Sequence, residues 1–442
     1  RRQRQMCIRD RFEKNTFINV GAASRAGPRR RASCPPRIES RVVPTAPPCQ
    51  QRCRRRGCRS HKAAPAASSR TFERLLQSAM TAEDVLSLAG QHLGSLTFPE
   101  AVLTLKQLAK LDQTASRDYL VSGAFLKVTS RLKDTFPRPV DEDSLPSTID
   151  NLIWALGRLE ADFSDLHFIM KRVAEIMALT RLDAFTTLEL ANVLWGLAHI
   201  MPLLRSGPPS SDVRSTAIAV ARASLQRADC VIPPYQSMRL WAVVKLGLPT
   251  DICEAMLRRC AESLLSEVAA TSNVEEMQWC PQSFANVAWS AAKLSECGSL
   301  KGYAMAAVVC AAVAKQAQLC LESFKPHELS MMAWACATMH GRKKSGNNAR
   351  PRGAAALTWA AEEFNVKKPA PLDFASLMVP VAVLARQRLD ALSAQSRSNI
   401  AWSLATTDMW SVPEAKGFIV AAAMPVEGLL GSKLPVSLMC RR

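Results

Sequence analysis

Only six histidines occur in the 442 residues, and no two of them stand at metal-ligand spacing on a helix. His327-Glu328 opens like a zincin motif, but Met331 fills the place of the second ligand. "GRKKSG" at Gly341 lacks the Gly-Lys-Ser/Thr ending of a phosphate loop and reads as the start of a basic exposed loop running to Gly353. A glycine-rich dinucleotide fingerprint and a nucleophile elbow are also missing. These gaps remove the usual constellations for metal, nucleotide and acyl chemistry, so the expectation is a protein without catalysis and without a cofactor. The apolar stretch from Tyr303 to Ala314 is too short for a bilayer span, and no run alternates with the period of a β-strand.

Positive charge is abundant but unevenly placed. Residues 1–70 hold 17 Arg and 2 Lys against Asp10, Glu13 and Glu39, a balance of +16 that leaves only +3 of the formal +19 for residues 71–442. An anion-binding surface on the body must therefore come from placement of charges and not from bulk charge. The basic segment is rich in Arg, Pro and Ser, and two readings of it stand side by side: an organelle transit peptide, or untranslated leader read as protein. "QMCIRDR" at Gln5–Arg11 back-translates to something like a transposon end used in sequencing libraries, which suits the second. Either reading implies disorder. Of fourteen cysteines, five lie in this segment, where Cys49, Cys53, Cys58 and His61 offer a zinc set of unusual spacing. The other nine are scattered singly, as buried free thiols of a reducing compartment would be.

The body repeats itself. Trp154, Trp195, Trp241, Trp289, Trp334 and Trp402 each stand inside a similar stretch, for example "PQSFANVAWSAAKL" at Pro281–Leu294. The steps between them are 41, 46, 48, 45 and 68 residues, the period of paired-helix repeats, with an extra segment in the last step. "FPEAVLTLKQLAKL" at Phe98–Leu111 is a weaker copy with Lys106 in the tryptophan slot. Eight residues before the tryptophan stand Pro146, Pro233, Pro281 or Pro326, suited to a first helical turn, while Thr186 and Ser393 suit N-caps in the other two copies. At about 100° per residue, Phe284, Val287, Ala291 and Leu294 share one arc, and Trp289 points the other way among Ala285 and Ala292. A helix apolar on two opposed faces needs neighbours on both, as in a stacked array. Second helices are expected over Asp162–Leu179, Ser211–Ala228 and Lys301–Leu321.

Two polar positions recur. Three residues before the tryptophan stand Asn151, Asn192, Asn286 and Asn399; four residues after it stand Arg158, His199, Lys245 and Lys293, with Thr338 and Thr406 in the last two copies. Positions seven apart lie about 20° apart on a helix, so each pair forms one edge that stacking would align. An asparagine can read a base edge and a neighbouring cation can hold phosphate. The same residues also have structural readings: asparagine bridging backbone between repeats, and a late basic residue complementing the helix dipole. The tryptophans are assigned to packing.

The pattern Leu/Phe-Ala-Asn, two apolar residues, Trp, then small and apolar residues ending in Lys-Leu resembles the octotricopeptide and heptatricopeptide repeats. It is also similar to the repeat regions of FAST-kinase-domain and RAP-domain proteins and of the RNA-editing substrate-binding complex subunit 6 family. Residues 95–410 carry the resemblance, best at Ser283–Leu294, Glu189–Ile200 and Ser398–Thr406; no RAP-like domain follows, and Met238 replaces the asparagine in the Trp241 copy. The resemblance implies an organellar protein, mitochondrial or alternatively chloroplast. It also implies single-stranded RNA as partner, with protein subunits of an RNA-processing complex beside it. The expectation is an all-α solenoid of about seven stacked antiparallel helix pairs over residues 71–410, with a C-terminal cap or truncated end at 411–442. A protein-interaction scaffold of armadillo or HEAT type is the competing reading.

Overall fold

The computed structural model describes residues 67–111, 117–137, 145–206, 211–227, 232–270, 277–296, 300–345, 362 and 375–423. Among them are sixteen α-helices and no strand: α1 (Ala67–Ser78), α2 (Ala82–Gln91), α3 (Phe98–Leu111), α4 (Gly123–Asp134), α5 (Leu145–Leu159), α6 (Leu166–Leu179), α7 (Thr187–Ile200) and α8 (Ser211–Gln226), followed by α9 (Pro233–Lys245), α10 (Thr250–Ala270), α11 (Pro281–Ser295), α12 (Leu300–Gln318), α13 (Pro326–Ser345), α14 (Ala375–Gln387), α15 (Ala394–Thr406) and α16 (Pro413–Ala423). The basic segment, its zinc set and most of the extra segment before α14 lie outside the described residues.

Packing sorts the helices into two layers. Odd-numbered helices pack in series from α1 to α15, and these carry the tryptophans; even-numbered helices form a companion layer, in which α6 packs on α8, α8 on α10, α10 on α12, α12 on α14 and α14 on α16. The chain is an all-α solenoid. Eight pairs are present, one more than the seven copies in the sequence, because α1 and α2 form a pair without a tryptophan. Residues beyond 410 supply α16, the companion of α15. No helix among the described residues is long and apolar enough to cross a membrane.

Local sequence sets the helix starts. Pro233, Pro281 and Pro326 are first residues of α9, α11 and α13, where the missing N–H has no intrahelical partner to lose. In α7, Thr186 Oγ1 accepts from the Glu189 backbone N–H at 3.2 Å, and the Glu189 carboxylate accepts from the Thr186 N–H at 2.7 Å. Ser393 caps α15 through the Ser396 N–H. Between α9 and α10 the chain reverses at Gly247, whose φ of +60° suits glycine alone at little cost. There the Gly247 and Leu248 N–H groups bond back to the Val244 and Val243 carbonyls and close α9.

Both faces of the tryptophan-layer helices are buried, as their double apolar pattern requires. In α11, Phe284, Val287, Ala291 and Leu294 are enclosed together with Ala285, Trp289 and Ala292. Each large side chain so enclosed contributes about 1.5–3 kcal/mol. Cys253, Cys260, Cys310 and Cys336 are buried thiols outside any disulfide, and burial pushes the pKa of Cys260 and Cys310 up to about 12.

Candidate functional site

Stacking brings the tryptophans into one line. Ring centroids lie 6.5 Å apart between Trp154 and Trp195, 6.2 Å between Trp241 and Trp289, and 6.4 Å between Trp289 and Trp334. Between Trp195 and Trp241 the imidazole of His199 intervenes, at 4.4 Å and 5.4 Å. Trp195, Trp241 and Trp289 are buried, Trp154 and Trp334 are half-buried, and Trp402 is 47% exposed. The middle of the ladder is thus packing, as assigned, while its ends open towards solvent.

Cations sit on the rings. Lys245 Nζ lies 4.6 Å from the Trp241 centroid, and Lys293 Nζ lies 5.9 Å from Trp289 and 4.7 Å from Trp334. Each such contact contributes about 0.5–1 kcal/mol at an exposed site and more when desolvated. Lys293 also meets Glu296 at 3.4 Å. Arg158 is 8% exposed, and both it and Lys245 are close enough to disfavour a charge on His199. Burial first and Lys245 second push the His199 pKa down to about 4, so the ring is neutral. Its Nδ1–H donates to the Glu160 carboxylate at 2.8 Å. Glu160 holds a φ of +45°, a left-handed conformation costing roughly 1–2 kcal/mol for a residue with a Cβ. His199 therefore belongs to the ladder itself and is not a cationic contact at neutral pH.

The asparagines point into the joints between successive helices. Lys106 Nζ donates to Asn151 Oδ1 at 2.6 Å across α3 and α5. Asn192 Nδ2 reaches Asp150 Oδ2 at 3.4 Å across α5 and α7, and Asn399 Nδ2 donates to Ser330 Oγ at 3.2 Å across α13 and α15. Asn286 is 2% exposed and Asn399 7%. These bridges run from side chain to side chain and not to backbone as the structural reading had it, and Asn151 and Asn192 are half-exposed. Asp150 is buried, with Oδ1 unpartnered, and burial above all pushes its pKa up to about 7.

Three features escaped the sequence reading. Asp150 and Glu160 are buried or half-buried acids whose partners lie on the next helix, which no local pattern reveals. Gly157 and Gly196 bring α5 and α7 into backbone contact: a Cβ on Gly157 would stand 2.7 Å from Gly196 Cα. Arg239 is 2% exposed, its Nη1 on the Ser224 carbonyl at 3.4 Å and its Nε unpartnered. A charge two residues before Trp241, where Phe/Leu-rich copies have an apolar residue, was its only signal.

Among the described residues no three His, Cys, Asp or Glu side chains cluster to hold a metal ion. No protein-family model matches the chain, and no curated protein matches it.

Proposed function

We propose that this solenoid binds single-stranded RNA without catalysis, through the line of cations that follows the tryptophan ladder. The observation that supports the reading is the seating of Lys245 and Lys293 over indole rings; Arg158, largely enclosed, holds the equivalent position of α5, and Lys106 fills the tryptophan slot of α3. Rings hold the two lysines one joint apart, and a single strand meets such cations with its phosphates. The half-buried ring of Trp154, at the start of the ladder, meets a base in this reading. The resemblance of the repeats adds the setting: RNA processing, stability, editing or translation in an organelle, mitochondrion before chloroplast, with protein subunits of an RNA-processing complex as companions.

A protein-interaction scaffold is the second reading, favoured by the near-neutral body and by the turning of the asparagines into the joints. Salt separates the two. Four phosphate contacts to a single strand give a log–log slope of affinity against salt of about −3. Binding of a mixed-sequence single-stranded RNA to the purified chain, measured by anisotropy over a salt series, should show that slope. A slope near zero, or no RNA binding at low salt, removes the first reading.

A further inference from the structure

The cysteines among the described residues divide by depth. Cys253, Cys260, Cys310 and Cys336 are at most 2% exposed, whereas Cys280 and Cys320 are half-buried. Neither of these two stands inside a helix: Cys280 is the N-cap of α11, and Cys320 lies two residues past the end of α12. Each sulfur rests on one weak contact within its own turn, Cys280 Sγ at 3.2 Å from Ser283 Oγ and Cys320 Sγ donating to the Gln316 carbonyl at 3.8 Å.

Helix register brings the two together. Four residues separate α11 from α12, and the packed pair is an antiparallel hairpin. On α12, Cys310 Sγ donates to the Ala288 carbonyl of α11 at 3.7 Å, which fixes the levels that face each other. Cys280 is eight residues back from Ala288 and Cys320 ten residues on from Cys310, steps of about 12 Å and about 15 Å in the same direction at the rise of a helix. Cys280 also stands nine residues before Trp289, half a turn round the axis, on the arc of Phe284 and Val287 that faces the companion layer. The electrostatics agree: burial first, and the Cys280 sulfur second, push the Cys320 thiol up.

We propose that Cys280 and Cys320 form a redox-active dithiol, which a small-molecule disulfide of the glutathione type closes to an intramolecular disulfide. The thiolate of one cysteine attacks a sulfur of the small disulfide and expels one small thiolate, leaving a mixed disulfide. The second cysteine, its proton lost to water, attacks the protein sulfur of that mixed disulfide and expels the other small thiolate. Two protein thiols are oxidised, and one small disulfide is reduced to two thiols. Both residues lie in turns, where the backbone can adjust to the Cα separation of about 5.5 Å that a disulfide spans. The bond ties the first turn of α11 to the end of α12. Cys310 and Cys336 also act on each other electrostatically, but both are enclosed, so an oxidant in solution does not meet them.

Incubation of the native full chain with oxidised glutathione tests it, followed by alkylation of the remaining thiols, digestion without reduction and mass spectrometry. The expected product is a pair of peptides joined through Cys280 and Cys320, with Cys310 and Cys336 still reduced. Dithiothreitol should restore both thiols, and the oxidised chain should melt roughly 5 °C higher, because the bond restrains the unfolded chain. In Cys280→Ser, Cys320 should carry one glutathione that no second protein thiol displaces, and Cys320→Ser should leave Cys280 in the same state. A native wild-type chain in which Cys280 and Cys320 each keep a glutathione, or stay unmodified, overturns the proposal. So does a Cys280–Cys320 bond that forms only after denaturation, or Cys280 joined to a different cysteine.

Discussion

The α5/α7 joint and the α11/α13 joint occupy equivalent places in the stack and are closed by opposite means. At α5/α7 the backbones meet: Gly157 lies on Gly196, Ile153 one turn earlier on α5 packs against Gly196 as well, and Asp150 and Asn192 bridge the rim. At α11/α13 side chains fill the space: Trp289 and Trp334 adjoin each other with the Lys293 ammonium beside the pair and within reach of both rings, and Ala288 and Ala292 are buried below them. A glycine joint is intolerant of added atoms and an indole joint of removed ones. One repeat pattern thus hides two kinds of sensitivity, and substitutions can tell them apart.

The largest effect belongs to Gly196. A Cβ there would stand 2.7 Å from Ile153 Cγ2 and closer still to the Ile153 carbonyl, which is backbone and cannot rotate away. Gly196→Val should cost about 4 kcal/mol or more in chemical denaturation, above the usual cost of overpacking. A loss below about 1 kcal/mol would mean that α5 and α7 are not in backbone contact.

Next comes the indole joint. Trp289→Ala removes a ring that is 3% exposed and should cost about 3–5 kcal/mol, whereas Trp402→Ala, at 47% exposure, should cost under about 1 kcal/mol. Equal losses would break the distinction between joints that are closed and the one left open at α15.

What the sequence made legible follows the same division. Helix starts were readable because Pro233, Pro281, Thr186 and Ser393 act within their own first turn. The double burial of α11 was readable because both apolar arcs lie on one helix. Contacts between helices were not: that Asn192 meets Asp150, or that His199 lies between Trp195 and Trp241, depends on the rotation of neighbouring helices, and no single helix encodes it. The glycines were the available signal, since a glycine inside a helix costs about 1 kcal/mol against alanine and Gly157 and Gly196 both stand near the tryptophan slot. Trp402 carries the same motif as Trp289, yet it is 47% exposed, because among the described residues no tryptophan-layer helix packs beyond α15.

Asp150 sharpens the polar side of the α5/α7 joint. Its carboxyl group titrates at about 7 in the folded chain against 3.8 as the ordinary value, because burial disfavours its charge. The folded state keeps a proton that the unfolded chain has already released, so this residue lowers stability as pH rises from about 4 to about 7. Asp150→Asn keeps the shape and never ionises. The variant should equal wild type near pH 4 and exceed it by roughly 2–4 kcal/mol at pH 8, read from denaturation midpoints at both pH values. A gap independent of pH would place Asp150 in contact with water.

Lys293 gives the smallest change in stability and the clearest separation of packing from binding. Its ammonium lies over two rings and 3.4 Å from Glu296, while its side chain keeps 16% exposure, so Lys293→Ala should cost about 1 kcal/mol or less. Trp289 and Trp334 would keep their tilted contact, and the circular dichroism should match wild type. If the line of cations holds phosphates, the same variant loses one counterion released on binding, and the salt slope falls in magnitude by about 0.7. Adding Lys245→Ala should double that reduction, because Lys245 stands one joint away on Trp241 and its contact is independent. Unchanged RNA affinity in the double variant would leave these lysines as lids on the indole ladder, and a variant that unfolds would place Lys293 in the core instead of on its edge.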